Sequence, residues 1–81
     1  MNHFIYRQTL SSTLFDIIDK YNKKIGTIIF HKNQNKYGLI VDKTPTYITD
    51  EQMEEILSKL KFLNKNKHLS FPEQLKLLNK D

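Results

Sequence analysis

The apolar pattern of this chain changes period near residue 49, and that change fixes the order of its elements before composition enters the argument. Up to Asp42 the apolar residues come in short runs rich in branched and aromatic side chains: residues 3–9 (HFIYRQT), 13–19 (TLFDIID), 25–31 (IGTIIFH) and 37–42 (YGLIVD). Runs of this kind read as strands. The segments between them, Leu10-Ser11-Ser12, residues 20–24 (KYNKK) and residues 32–36 (KNQNK), are polar and too short for a crossover. Consecutive strands must then pair antiparallel, which gives a four-stranded meander. One segment carries a second signal. Leu14, Ile17, Ile18 and Tyr21 also fall at helical spacing with Ser12 available as an N-cap. The flanking polar loops and the branched content of residues 13–30 favour the strand.

Beyond residue 49 the period is helical. Met53, Ile56, Leu57, Leu60 and Leu63 form one stripe, and Thr49 with Gln52 has the spacing of a capping box. Acidic residues open this segment and Lys59 and Lys61 come later, an order that suits the helix dipole. A helix over residues 50–64 follows. After Asn64-Lys65-Asn66-Lys67, Ser70 and Glu73 repeat the capping spacing around Pro72, and Phe71, Leu75 and Leu78 supply a short stripe. This predicts a second helix over residues 71–79. The expected fold class is α+β, a four-stranded antiparallel meander followed by one long and one short helix, ββββαα. A sheet followed by a helix that opens on an acidic, threonine-led turn, here Ile48-Thr49-Asp50-Glu51-Gln52, resembles in outline the single-strand-binding folds of the Whirly and transcriptional-coactivator type. The likeness lies in element order, and it carries no residue role to this chain.

With 81 residues there is room for a single domain, 1–81, and one modest core. Cysteine is absent, which excludes a disulfide framework, thiolate zinc sites and cysteine nucleophiles. No apolar run is long enough to span a membrane, and residues 1–5 lack the layout of a secretion signal, so the expected location is cytoplasmic. Net charge is +4, distributed as +3 over residues 1–42, −3 over residues 43–58 and +4 over residues 59–81. Lysine supplies all the basic residues except Arg7, and alanine does not occur. That bias fits an AT-rich coding sequence of the kind found in low-GC bacteria, their phages and their plasmids.

Catalytic and metal-binding patterns are weak throughout. His3, His31 and His68 are far apart and have no chelating spacing. Asp16, Asp19 and Asp42 could converge at a sheet edge as acid–base or metal-binding carboxylates, but Asp19 and Asp42 fall at strand ends, where aspartate serves local turns, and Glu54 and Glu55 suit the opening turns of a helix. Gly26 and Gly38, the only glycines, sit inside expected strands, where a bulge or a close backbone approach explains them better than a phosphate loop. No metal, cofactor or catalytic residue is assigned, and the chain is expected to bind without catalysing.

Two features bear on what it binds. Lys20, Lys23, Lys24, Lys32 and Lys36, with Tyr37, form a candidate binding surface, and Tyr6, Phe15, Phe30 and Tyr37 offer rings for stacking exposed bases. Against a nucleic-acid ligand, successive loops of a meander lie at opposite ends of the sheet, and arginine is nearly absent. The second feature is apolar residues on both parities of the strands. Phe15, Ile17, Ile25, Ile29, Tyr37, Leu39 and Val41 take one parity; Leu14, Ile18, Ile28, Phe30 and Ile40 take the other. A half-solvated sheet shows polar residues on one face. One face is expected to take the long helix, and the other the short helix, a second copy or a partner. The expected activity is that of a small regulator or inhibitor, as phages and mobile elements encode, that engages a host protein and can form a homodimer. The alternative is a single-stranded nucleic-acid binder using sheet aromatics and loop lysines.

Overall fold

The computed structural model describes residues 2–8, 14–42 and 47–80. Strands β1 (Ile5–Gln8), β2 (Phe15–Ile18), β3 (Lys24–His31) and β4 (Lys36–Val41) are followed by α1 (Asp50–Lys65) and α2 (Phe71–Leu78). The sheet is antiparallel in the order β1-β2-β3-β4. The ββββαα order and α+β class are those expected from the sequence. Residues 15–18 are a strand, paired on both sides, and Tyr21 of the competing helical stripe is an exposed turn residue. The expected turn at Leu10-Ser11-Ser12 lies outside the described residues.

Local chemistry sets the turns and caps. Asn22 and Asn35 adopt φ of 65° and 52°, the left-handed region that asparagine tolerates, and each lies in a polar loop that returns the chain. Asp19 Oδ1 accepts the backbone N–H groups of Tyr21 and Lys23 and so organises the β2–β3 turn. Thr49 caps α1 with both halves of the capping box in place, and the Ser70 side chain accepts from the Glu73 backbone N–H at the start of α2.

The two helices share one face of the sheet. Ile56 and Leu63 of α1 and Leu78 of α2 pack with Phe4, Tyr6, Phe15, Ile17, Ile25, Ile28 and Tyr37 in a single core. This corrects one of the expected alternatives, in which the short helix covers the opposite face. The two apolar parities come partly from the antiparallel register, in which even positions of β3 pair with odd positions of β2 and β4, and partly from a β-bulge. Ile17 pairs with Gly26 but Ile18 pairs with Lys24, so Ile25 is an extra residue in β3. A bulge turns consecutive side chains toward one side and inverts the alternation beyond it. Ile25, Ile28 and Phe30 therefore all serve the helix-covered face, and Ile29 goes to the other. On that other face Arg7, Asp16, Thr27 and Ile40 align across the sheet, as do Ile5, Ile18 and Lys24. It is a mixed polar and aliphatic face, where the sequence suggested a wholly apolar one.

The long helix is also rolled from its expected orientation. Ile56, Leu60 and Leu63 face the core, but Met53 and Leu57, expected beside them, are half exposed. Glu55 accounts for the roll. Its carboxylate accepts the Tyr6 hydroxyl at 2.6 Å and the His3 backbone N–H, which draws this side of α1 toward β1. Lys59, one turn on, lies over the Tyr6 ring with its Nζ 5.7 Å from the centroid.

Two contrasts test this packing. Leu63→Ala should destabilise by about 2–5 kcal/mol as a fully buried truncation, whereas Leu57→Ala should cost about 0.5 kcal/mol, as surface changes do; urea unfolding separates them. A Cβ on Gly26 would lie 2.8 Å from the Ile40 carbonyl oxygen, while nothing lies within 4 Å of one on Gly38. Gly26→Ala should therefore destabilise by about 1–3 kcal/mol, and Gly38→Ala should be neutral or stabilising by about 0.4–1 kcal/mol. Equal effects at the two glycines would contradict the close approach at the bulge.

Candidate binding surface

A meander followed by a helix antiparallel to its last strand has two ends, and the lysines divide between them. Lys20, Lys23 and Lys24 belong to the β2–β3 turn, where Lys20 Nζ sits 5.3 Å from the Tyr21 ring centroid and Lys24 Nζ lies 3.9 Å from Asp16 Oδ1. Lys32 and Lys36 flank the β3–β4 turn at the opposite end. The candidate lysines thus form two groups, not one patch. Tyr37 is buried, its hydroxyl donating to Gln74 Oε1 at 3.2 Å. Tyr6 and Phe15 are buried under the helices as well, so those sheet aromatics present no open ring face; Phe30 is only partly covered.

Lys32 and Lys36 gain neighbours that the sequence reading passed over. Because α1 runs back along β4, its C-terminal turn arrives beside the β3–β4 turn. A groove of about 580 Å³ between β4 and α1 is lined by Lys36, Tyr37, Leu57, Leu60, Lys61, Asn64 and Lys65, with no carboxylate among them. A second, of about 420 Å³, is lined by Phe30, Lys32, Asn35, Tyr37, Lys67 and Phe71, and Lys67 Nζ donates to the Asn35 carbonyl at 2.8 Å. The signal was available as the i, i+4 row of Leu57, Lys61 and Lys65, read with the antiparallel return of the helix.

The groove continues into an apolar flank. The Tyr37 backbone is joined to Asn64, and α1 advances about 1.5 Å per residue against about 3.3 Å for a strand. Val41 then comes level with the helix between Met53 and Leu57. Ile40 (53 % exposed), Val41 (52 %), Met53 (47 %) and Leu57 (52 %) are half of the large hydrophobics left open among the described residues, and all four belong to β4 or α1.

Both edges of the sheet are tied by asparagine. Tyr6 N–H donates to Asn79 Oδ1 and its carbonyl accepts from Asn79 Nδ2, both at 2.8 Å. On β4, Tyr37 N–H donates to Asn64 Oδ1 at 2.7 Å and its carbonyl accepts from Asn64 Nδ2 at 3.4 Å. Each amide takes the place of a neighbouring strand at one position.

Among the described residues no group of three histidine, aspartate or glutamate side chains is placed to hold a metal ion, and no helix is long and apolar enough to cross a membrane. Glu51, Glu54 and Glu55 gather with Asn2, His3, Ser58 and Lys59 near the N-terminal half of α1, in an open depression away from the lysine-lined groove. No family model, curated protein or solved structure matches this chain.

Burial pushes the Tyr6 hydroxyl well above the usual phenol range, and the hydrogen bond to Glu55 and that carboxylate's charge push it further the same way. A raised folded-state pKa means that this stabilisation is complete below the unfolded value of about 10 and is lost as pH rises above it. Wild-type stability should fall above about pH 10 by up to about 1.4 kcal/mol per pH unit more steeply than that of Tyr6→Phe. Chemical unfolding of both proteins across that range checks the difference, and parallel profiles would contradict it.

Proposed function

We propose that this chain is a non-enzymatic protein-binding module, a regulator or inhibitor of the kind phages and mobile elements encode, and that it engages a host protein along the flank formed by β4 and α1. The supporting observation is the exposure of Ile40, Val41, Met53 and Leu57 on β4 and α1, with Leu57 in the groove that holds Lys36, Lys61 and Lys65 and Ile40 on the opposite sheet face of the same edge strand. An apolar centre with a charged border is the usual anatomy of a protein interface. Fully burying one such side chain is worth about 1.5–3 kcal/mol, so covering the exposed halves of four supplies several kcal/mol toward association. The lysine border favours a partner with an acidic surface and speeds its approach.

Single-stranded nucleic acid is the second reading, resting on the lysines of the β3–β4 end and on the partly covered rings of Phe30 and Phe71. The burial of Tyr6, Phe15 and Tyr37 weakens it, because stacking needs open ring faces.

Affinity capture from the encoding host should retain a partner on the wild-type protein and on Lys20→Glu/Lys23→Glu. Ile40→Asp/Leu57→Glu should lose that partner at an unchanged unfolding midpoint. Loss in the β2–β3 turn variant alone would move the interface to the other end of the molecule. Tight single-stranded DNA or RNA binding that weakens steeply with salt would favour the second reading.

A further inference from the structure

Resting on that protein-binding reading, we propose that the open part of β4 receives an extended segment of the partner as an added strand, acidic where it passes Lys36, Lys61 and Lys65 and apolar where it passes Met53 and Leu57. Tyr37 directs its N–H and carbonyl away from β3, since both are taken by Asn64. In an antiparallel strand alternate residues point the same way, so Leu39 and Val41 also direct their backbone groups outward. The neighbouring bond from Asp42 N–H to the Ile25 carbonyl, at 3.2 Å, fixes the opposite phase for the even positions. Leu39 and Val41 thus offer two N–H groups and two carbonyls along one edge, spaced for an extended chain and not for a helix.

The asparagine ties set the limits of the site. On β1, a strand of four residues, Asn79 occupies the outward position at Tyr6. On β4 Asn64 occupies only Tyr37, and the strand continues for four residues beyond it. The incoming strand therefore pairs at Leu39 and Val41, its ladder stops at Asn64, and its end lies among Lys36, Lys61 and Lys65.

Charge then selects the occupant. The end of the groove at Asn64 is bordered by Lys36, Lys61 and Lys65 without a carboxylate, so carboxylates on the incoming segment are matched there. Further along the edge the α1 row turns apolar at Leu57 and Met53, both half exposed. A second copy is a poorer occupant, because it would join two chains of net charge +4.

The test is amide hydrogen exchange by NMR on the full chain. The probe is a synthetic peptide of about ten residues, long enough to span the edge, with valine and threonine in one half and glutamate and threonine in the other. In the free protein the Leu39 and Val41 amides should exchange rapidly, while those of Gly38 and Ile40, bonded to β3, should be protected. Adding the peptide should slow Leu39 and Val41 by about tenfold or more. Lys61→Glu/Lys65→Glu should weaken that effect, and a backbone N-methylated peptide of the same sequence should not produce it. Shifts at Leu57 and Lys61 without protection at Leu39 and Val41, or equal binding of the N-methylated peptide, would overturn strand addition while leaving the flank as a protein-binding surface. A peptide that shifts no flank resonance would also overturn the proposal, and the capture experiment would then judge the flank separately. Concentration-dependent protection of Leu39 and Val41 without peptide, together with a dimer in sedimentation, would identify the occupant as a second copy and overturn the acidic partner.

Discussion

Tyr6 and Tyr37 lie on opposite edge strands, and each is held by both helices in a crossed arrangement. The Tyr6 backbone bonds Asn79, just past α2, while its hydroxyl donates to Glu55 of α1. The Tyr37 backbone bonds Asn64 of α1, while its hydroxyl donates to Gln74 of α2. Each hydrogen bond contributes only about 0.5–1.5 kcal/mol, but together they fix where both helices sit over the sheet. Gln74 extends the network: it is buried, and its Nε2 donates to the Asn66 carbonyl and so holds the connection between the helices. Among the described residues every buried side-chain nitrogen and oxygen has a partner. A fully satisfied polar network of this kind selects one packing, because any slip of a helix would strand several groups at once.

The bulge at Ile25 works on the other side of the same problem. Without it, Ile25 would pair with Ile18 and point away from the helices, and the core would lose a buried isoleucine beside Ile17 and Ile28. With it, β3 delivers Ile25, Ile28 and Phe30 to one face. Both helices can then collect on that face, and a chain of this length reaches a core of useful size. The consequence is a two-layer molecule whose opposite sheet face carries alternating aliphatic and polar side chains.

Element order was legible in the sequence because it depends on local signals. Branched runs between polar loops gave the strands, and Thr49 with Gln52 and Ser70 with Glu73 marked the helix starts seen in the structure. Features that depend on distant partners were not legible. The bulge adds a single residue whose effect appears only against the neighbouring strand. Glu55 and Lys59 read as outward polar residues of a helix, yet Tyr6, some fifty positions earlier, turns both inward. Asn64 reads as the start of a polar connection, although it is the residue that ties α1 to β4. The lysines show the same limit. Their division between two loops followed from meander topology, but the return of α1, which brings Lys61 and Lys65 beside Lys36, required the tertiary path.

The same asparagine ties explain why the two sheet edges are unequal. A strand edge exposes backbone groups that attract other strands, and proteins guard such edges by shortening or covering them. Here β1 is short and carries its tie near the middle, which leaves little edge to pair. β4 is longer and tied close to its start. Moving the tie toward the centre of β4, to Leu39, would require an asparagine one turn earlier in α1, at the helical level of Leu60. That position instead carries a leucine packed against the core, and Leu57 and Met53 before it in the row are apolar and half exposed. The distribution of polar and apolar side chains along α1 therefore closes one end of β4 and leaves the rest of its edge beside a surface suited to apolar contact.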